Sequence, residues 1–105
     1  MMETKLRVTV FKMFTPEDIF GQNHDIKWNG EPIPPCGHKV GEEFIVDHHL
    51  NKPQGLCGRA WQDLYTTLMV YYFGGDYDYP EPGVTYQPCG DGVKPVIFKI
   101  EKIDE

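Results

Sequence analysis

The sequence predicts an α+β fold, in which one main amphipathic helix covers a small, mostly antiparallel sheet that ends in a C-terminal hairpin. Three observations support this prediction: alternating apolar residues near the N-terminus, a helical apolar stripe in the middle, and a glycine-containing turn between two β-rich runs near the C-terminus. The chain has 105 residues, of which 40% are hydrophobic, so we expect a single domain spanning residues 1–105.

The N-terminal part predicts a strand followed by a short helix. In "KLRVTVFK", residues 5–12, Leu6, Val8 and Val10 share one face, which is the pattern of a half-buried strand. The next segment, "TPEDIFG", predicts one helical turn ending near Gly21, because threonine can cap a helix and proline suits its first position. Proline, glycine and asparagine make the following segment an irregular connection.

The remaining elements are a second strand, the main helix and a hairpin. The second strand is "GEEFIVD", residues 41–47, and the main helix begins near Gly58. The residues that share one side of this helix are Trp61, Leu64, Tyr65, Leu68 and Tyr72. The helix ends at "FGG", where Gly74 occupies a position that favours positive φ. Finally, "GDG" between "VTYQ" and "KPVIFKIEKI" predicts a hairpin turn.

Charge and composition exclude several classes of protein. The formal net charge is −6 and the ten lysines and arginines are scattered, which argues against nucleic-acid binding. No apolar run approaches the ~20 residues of a membrane helix, and the charged N-terminal segment is typical of a strand rather than a signal peptide. We therefore expect a cytoplasmic protein whose partners are a small molecule or a metal, with a homo-oligomer possible.

The three cysteines are the clearest candidates for chemistry. Cys36, Cys57 and Cys89 are each followed by glycine, in "PPCGH", "GLCGR" and "QPCGD". An odd number of cysteines in a chain without an export signal argues against a disulfide framework. All three lie in predicted turns or at the ends of predicted elements, where functional residues concentrate. The pattern favours one shared site.

One interpretation of that site is metal binding. Thiolates from Cys36, Cys57 and Cys89, with His38 as a possible fourth ligand, suit tetrahedral zinc or iron. The spacing has no CxxC pair, so the fold itself would have to assemble the ligands. Three thiolates without a fourth protein ligand would leave a coordination position open for catalysis.

A second interpretation is catalysis by a cysteine nucleophile. Cys57 lies at the predicted start of the main helix, where the helix dipole and the nearby Arg59 favour a thiolate. The histidines that could act as its base are His38, His48 and His49, and the carboxylates that could orient that base are Asp63 and Asp91. A third interpretation, in which the cysteines are only buried structural residues of an interaction module, stays open.

A family resemblance covers nearly the whole chain. The segments "GLCGRAWQDLYTTLMVYYFGGDY" and "CGDGVKPVIFKIEKI", preceded by "CGHKVGEEFIV", resemble a small family of short three-cysteine proteins of unknown function that is frequent in anaerobic bacteria and archaea. The resemblance implies that Cys36, Cys57 and Cys89 act together, and it carries no known reaction. Members of that family have proline after the first cysteine where this chain has Gly37, so the resemblance does not make His38 a ligand.

Overall fold

The computed structural model describes residues 5–103, which form two helices and one antiparallel sheet. The elements in chain order are strand β1 (Lys5–Met13), helix α1 (Pro16–Phe20), strand β2 (Glu43–Val46), helix α2 (Gly58–Tyr72), strand β3 (Val84–Pro88) and strand β4 (Val96–Ile103). The four strands lie in the order β2-β1-β4-β3. The predicted α+β class, the main helix and the C-terminal hairpin of β3 and β4 are confirmed.

The central strands β1 and β4 supply most of the buried sheet face. Alternate residues of β1 are buried, as the period-2 pattern predicted, and β4 shows the same alternation over its first five residues. The fully buried residues of these two strands are Leu6, Val8, Val10, Val96, Phe98 and Ile100. Burial of each such side chain contributes roughly 1.5–3 kcal/mol before packing effects are counted, so this face of the sheet is the main stabilising surface of the fold.

The buried stripe of α2 differs from the predicted one. The buried residues are Ala60, Leu64, Thr67, Leu68 and Tyr71. Only Leu64 and Leu68 belong to both sets, and the prediction was wrong for Tyr65, which is 36% exposed. The buried stripe is rotated around the helix axis relative to the predicted one and includes the small residues Ala60 and Thr67. Tyr71, and not Tyr72, therefore enters the core.

A glycine follows the last turn of each helix, as predicted: Gly21 after α1 and Gly74 after α2. Thr15 and Asp18 form a reciprocal capping box at the start of α1, and the N–H of Gly21 donates to the carbonyl of Glu17 at its end. Gly74 follows α2 with φ of +91°, a conformation that glycine adopts without a steric penalty.

No helix within residues 5–103 is both long and apolar enough to cross a membrane.

Two connections carry the residues of the candidate site. The long connection before β2 is fixed to β1 at its C-terminal end, where Gly41 donates to the Val10 carbonyl and Val10 donates to the Glu42 carbonyl, both at 2.8 Å. The connection between β3 and β4 is closed by a 2.9 Å hydrogen bond from the Cys89 N–H to the Val96 carbonyl. Both connections approach the N-terminal end of α2, so this end of the helix is where the fold assembles a site.

Candidate functional site

A cavity of about 240 Å³ lies at the N-terminal end of α2. Its lining includes the three cysteines predicted to share a site, together with His38, Arg59, Asp91 and Lys94. Ala60, Val96 and Phe98 form apolar walls. Candidate residues from three distant segments of the sequence therefore surround one small cavity. Asp63 does not line the cavity and contacts the neighbouring loop at Gly90 instead.

Cys57 occupies the N-cap position of α2. Its backbone is extended, with φ −57° and ψ 137°, and within the described residues its side chain makes no capping hydrogen bond. Its carbonyl accepts the Trp61 N–H at 2.9 Å, so the helix begins directly after it. Cys57 is exposed, whereas Cys36 and Cys89 are half-buried, and all three are free thiols within the described chain. Cys57 is thus the thiol that solvent and ligands reach first.

His38 is fixed between Glu42 and Cys57. Its Nδ1 lies 2.9 Å from Glu42 Oε1, and its Nε2 lies 3.2 Å from the backbone nitrogen of Cys57. A backbone amide can only donate, so we assign Nε2 as the acceptor and Nδ1–H as the donor to the carboxylate. The ring is 9% exposed and packs edge-on against Phe44 and Phe98. In this tautomer the Nε2 lone pair faces Cys57 and accepts the N–H of that residue.

Glu42 holds the His38 ring, and the sequence analysis did not select it. The N–H of Lys39 and, second, the His38 imidazole lower the pKa of Glu42 by hydrogen bonding to its carboxylate. The sequence analysis gave the orienting role to Asp63 or Asp91, but the carboxylate bonded to His38 is that of Glu42. The His-x-x-x-Glu spacing was the available signal, although in an irregular segment this spacing does not establish a contact.

Asp63 and Arg59 fasten the loop that carries Cys89 to the first turns of α2. Asp63 Oδ2 accepts the Gly90 N–H at 2.6 Å, and Arg59 Nη2 donates to the Gly90 carbonyl at 2.6 Å. Arg59 Nε also lies 3.5 Å from Asp63 Oδ2. The N–H and the carbonyl of Gly90 are therefore both bonded to side chains of α2. These bonds hold the preceding residue, Cys89, beside the helix that begins after Cys57.

Asp91 and Lys94 shape the same loop from the other side. Asp91 Oδ1 accepts the N–H groups of Val93 and Lys94 at 2.9 and 3.1 Å. Burial acts to raise the pKa of Asp91, but these two hydrogen bonds and the Lys94 and Arg59 charges outweigh it and lower the pKa. Lys94 Nζ donates to the Pro34 carbonyl at 2.6 Å, which joins this loop to the segment of Cys36.

The half-buried cysteines differ in their contacts. Cys89 Sγ lies 3.4 Å from the Val96 nitrogen and accepts its N–H, so this thiol is fixed at the end of the β3–β4 ladder. Cys36 packs against the hydrophobic core, two residues before His38. The Cys36 loop reaches α2 through the contact between His38 and Cys57, and the Cys89 loop reaches it through Gly90.

The arrangement is not that of a ready-made metal centre. Within residues 5–103, no three His, Cys, Asp or Glu side chains come close enough together to hold a metal ion. The His38 Nε2 lone pair, which would bind a metal, accepts the Cys57 N–H instead. Metal binding by Cys36, Cys57 and Cys89 would require their loops to move together, and it stays a prediction.

The other candidate histidines and Trp61 lie outside the cavity lining. His48 and His49 stack on each other with ring centroids 4.0 Å apart, and the Tyr72 hydroxyl donates to the His48 carbonyl. Trp61 packs at the edge of the core and lines a shallow surface groove with Leu50 and Tyr65 instead. Of the three histidines named as alternatives for the base, His38 lines the cavity, whereas His48 and His49 do not.

No protein-family model, curated protein or solved structure matches this chain. The resemblance to a family of three-cysteine proteins therefore stays a prediction.

Proposed function

We propose that the cavity is a thiol-based reaction site for a small electrophilic molecule, with Cys57 as the nucleophile and His38 as its general base. The observation that carries the proposal is the position of the His38 ring, which is bonded to Glu42 on one side and to the Cys57 backbone on the other. A nucleophile, a base and a carboxylate that orients the base form the arrangement common to enzymes with activated cysteines.

The chemistry follows from the hydrogen bonds of His38. Nε2 accepts the Cys57 N–H, so the base role requires this hydrogen bond to open and the Cys57 side chain to rotate about its Cα–Cβ bond until Sγ faces Nε2. Transfer of the thiol proton to Nε2 leaves an imidazolium that the Glu42 carboxylate stabilises. The helix dipole of α2 favours the thiolate that remains. General-base assistance of this kind typically contributes about 10²–10⁴-fold to a rate.

The size of the cavity limits the substrate. A volume of about 240 Å³ lies below the range of roughly 300–1,000 Å³ that is usual for drug-sized ligands. Its walls combine apolar side chains with Arg59 and Lys94. A compact molecule with an electrophilic carbon, sulfur or oxygen atom suits these dimensions.

The test is the alkylation rate of each cysteine with iodoacetamide at neutral pH, measured by peptide mass spectrometry. We expect Cys57 to react at least about tenfold faster than glutathione and His38→Ala to remove most of this advantage. His49→Ala is the matched control, because His49 is exposed and is not in the cavity lining. A Cys57 rate equal to that of glutathione and unchanged by His38→Ala would refute the proposal.

A second candidate function is binding of zinc or iron by Cys36, Cys57 and Cys89. The observation that favours it is that three free thiols, the ligands preferred by soft metals, line one cavity. Binding would displace the contact between His38 and Cys57 or add His38 as a ligand. Protein purified without oxygen should then contain about one equivalent of metal, lost in each Cys→Ser variant. Less than about a tenth of an equivalent would eliminate this candidate.

We extend the proposal to location and partners. A reducing compartment such as the cytoplasm keeps three thiols free, and a net charge of −6 favours a small-molecule partner over a nucleic acid. Membership of the three-cysteine family would fit both candidate functions, since each uses more than one cysteine. A homo-oligomer is compatible with either, and size-exclusion chromatography with light scattering measures it directly.

A further inference from the structure

We propose that Cys57 and Cys89 are the two halves of a redox pair, in which Cys57 reduces a hydroperoxide and Cys89 then closes a disulfide with it. This inference rests on the proposed function, because the first step uses Cys57 as the nucleophile. To the proposed function it adds hydroperoxides as the substrate class, Cys89 as the second reacting thiol, and the order in which Cys57 and Cys89 react. Three observations carry it: the different exposure of the thiols, their common cavity, and the attachment of the Cys89 loop to α2.

The exposure of the thiols sets the order of attack. Cys57 is exposed, whereas Cys36 and Cys89 are half-buried and pack against the hydrophobic core. A small oxidant arriving from solvent therefore meets Cys57 first. The other two thiols line the same cavity, so each is a candidate to resolve an oxidised Cys57 once loop movement brings the two sulfur atoms into contact.

The attachment of Gly90 selects Cys89 as the resolving thiol. Both the N–H and the carbonyl of Gly90 are bonded to α2, to Asp63 and Arg59 respectively, at 2.6 Å each. The fit is close, because a Cβ at Gly90 would lie 2.9 Å from Asp63 Oδ2 and 3.2 Å from Arg59 Nη2. The residue next to Cys89 is thus held against the helix that starts directly after Cys57.

Cys36 is attached less directly. Two residues before it, the Pro34 carbonyl accepts a hydrogen bond from Lys94 of the hairpin loop and not from a residue of α2. The link from this segment to Cys57 runs through the His38 ring, at 3.2 Å from the Cys57 nitrogen. The hydrogen-bonded link from Cys36 to Cys57 therefore depends on the ring that serves as the base, whereas the link from Cys89 runs through Gly90 to the side chains of α2.

The reaction balances in two steps. His38 accepts the Cys57 proton, and the thiolate attacks one oxygen of the hydroperoxide, so that the O–O bond breaks and an S–O bond forms. The leaving alkoxide takes the proton and departs as an alcohol, or as water from hydrogen peroxide, and Cys57 becomes a sulfenic acid. The Cys89 thiol then attacks the Cys57 sulfur, the S–O bond breaks, water leaves, and the disulfide forms. A dithiol reductant restores both thiols by exchange.

The first experiment identifies the linked cysteines. The reduced full-length protein is treated with one equivalent of hydrogen peroxide, and disulfide-linked peptides are identified by mass spectrometry. We expect a Cys57–Cys89 peptide as the main product. In Cys89→Ser, whose hydroxyl can still accept the Val96 N–H, we expect a Cys57 sulfenic acid that dimedone traps. A main Cys57–Cys36 product, or the absence of any disulfide containing Cys57, overturns the inference.

The second experiment tests the position of the loop with a matched pair of glycine variants. Gly90→Ala places a methyl group against Asp63 and Arg59, whereas a Cβ at Gly92 meets nothing within 4 Å. We expect Gly90→Ala to slow disulfide closure about tenfold while sulfenic acid formation at Cys57 keeps its rate, and Gly92→Ala to change neither. Melting temperatures check that both variants fold. Equal closure rates in the two variants contradict the role of the Gly90 attachment.

Failure of this inference is distinguishable from failure of the proposed function. If iodoacetamide labelling of Cys57 is fast and depends on His38, but peroxide produces no Cys57–Cys89 disulfide, the reactive thiol stands and the redox pair is rejected. If labelling is slow and independent of His38, the proposed function fails first and the redox pair fails with it.

Discussion

The helix–sheet core and the rim of the cavity are built in different ways. In the core, apolar side chains of β1, β4 and α2 exclude water over a continuous surface, and any one of them contributes through its size. At the rim, polar side chains bridge separate loops to backbone groups, as Asp63 and Arg59 do at Gly90. The two regions share the apolar wall of the cavity, Ala60, Val96 and Phe98, so the comparison teaches that the polar contacts of the rim, and not that wall, are where the loops can be altered without changing the core.

The largest expected effect is in the core. Leu68→Ala removes a fully buried side chain and should lower the free energy of unfolding by about 2–5 kcal/mol, since the cavity left behind adds to the lost burial. Urea denaturation measures this change. Gln62→Ala, at an exposed position of the same helix, should change it by less than about 0.5 kcal/mol. Equal losses of unfolding free energy in Leu68→Ala and Gln62→Ala would contradict the assignment of Leu68 to the stabilising core.

A smaller effect is expected at the rim. Asp63→Ala removes the acceptor of the Gly90 N–H, a hydrogen bond that is partly exposed and should be worth about 1 kcal/mol. The same urea titration measures it, and peroxide-driven disulfide closure should slow in parallel. Asp63→Asn keeps an acceptor oxygen and should lose less of both. If Asp63→Ala lowered the free energy of unfolding as much as Leu68→Ala, the contrast between the rim and the core would be wrong.

Acid should weaken the polar contacts before it affects apolar packing. Asp76 accepts N–H groups of Asp78 and Gly83 and pairs with Lys102, and these contacts lower the pKa of its carboxyl from the usual value. A carboxyl whose pKa is lower in the folded state contributes stability above its unfolded pKa, and this contribution is lost as the pH falls through the folded value. We expect thermal stability to decline below about pH 4, less steeply in Asp76→Asn. An identical slope in that variant would contradict the assignment.

The smallest expected effect concerns the orientation of His38. Glu42→Gln keeps a hydrogen-bonding side chain but removes the charge that stabilises the imidazolium. Iodoacetamide labelling of Cys57 should slow about two- to fivefold, less than in His38→Ala, with little change in melting temperature. Glu43→Gln, at the adjacent exposed position, is the control. A labelling rate equal to wild type would remove Glu42 from the proposed site.

Much of the core could be predicted from the sequence, because apolar periodicity records which face of an element is buried. The alternation of Leu6, Val8 and Val10 and the glycine after α2 gave the strand and the helix end correctly. The rotation of the α2 stripe toward Tyr71 could not be predicted. Tyr71 and Tyr72 are residues of the same type at the i+7 and i+8 positions from Leu64, and both positions belong to the apolar side of an amphipathic helix, so the pattern does not choose between them.

The site could be predicted only in part. The three turn cysteines were chosen from their local sequences, and they line one cavity. The Glu42 contact with His38 and the Gly90 attachment could not be predicted, because both depend on how irregular loops meet α2. A side chain that bonds a backbone group many residues away leaves no periodic trace in the sequence.

The two hydrogen bonds between β1 and the Gly41–Glu42 segment have an evolutionary consequence. They fix the last residues before β2, so the His38–Glu42 pair sits on an anchored end of the long connection. Lengthening or shortening the stretch between Gly21 and Pro32 would leave that pair in place, since each doubling of a flexible loop costs only about 0.6 kcal/mol. Insertions should therefore accumulate there among related chains, while the spacing from Cys36 to β2 stays constant.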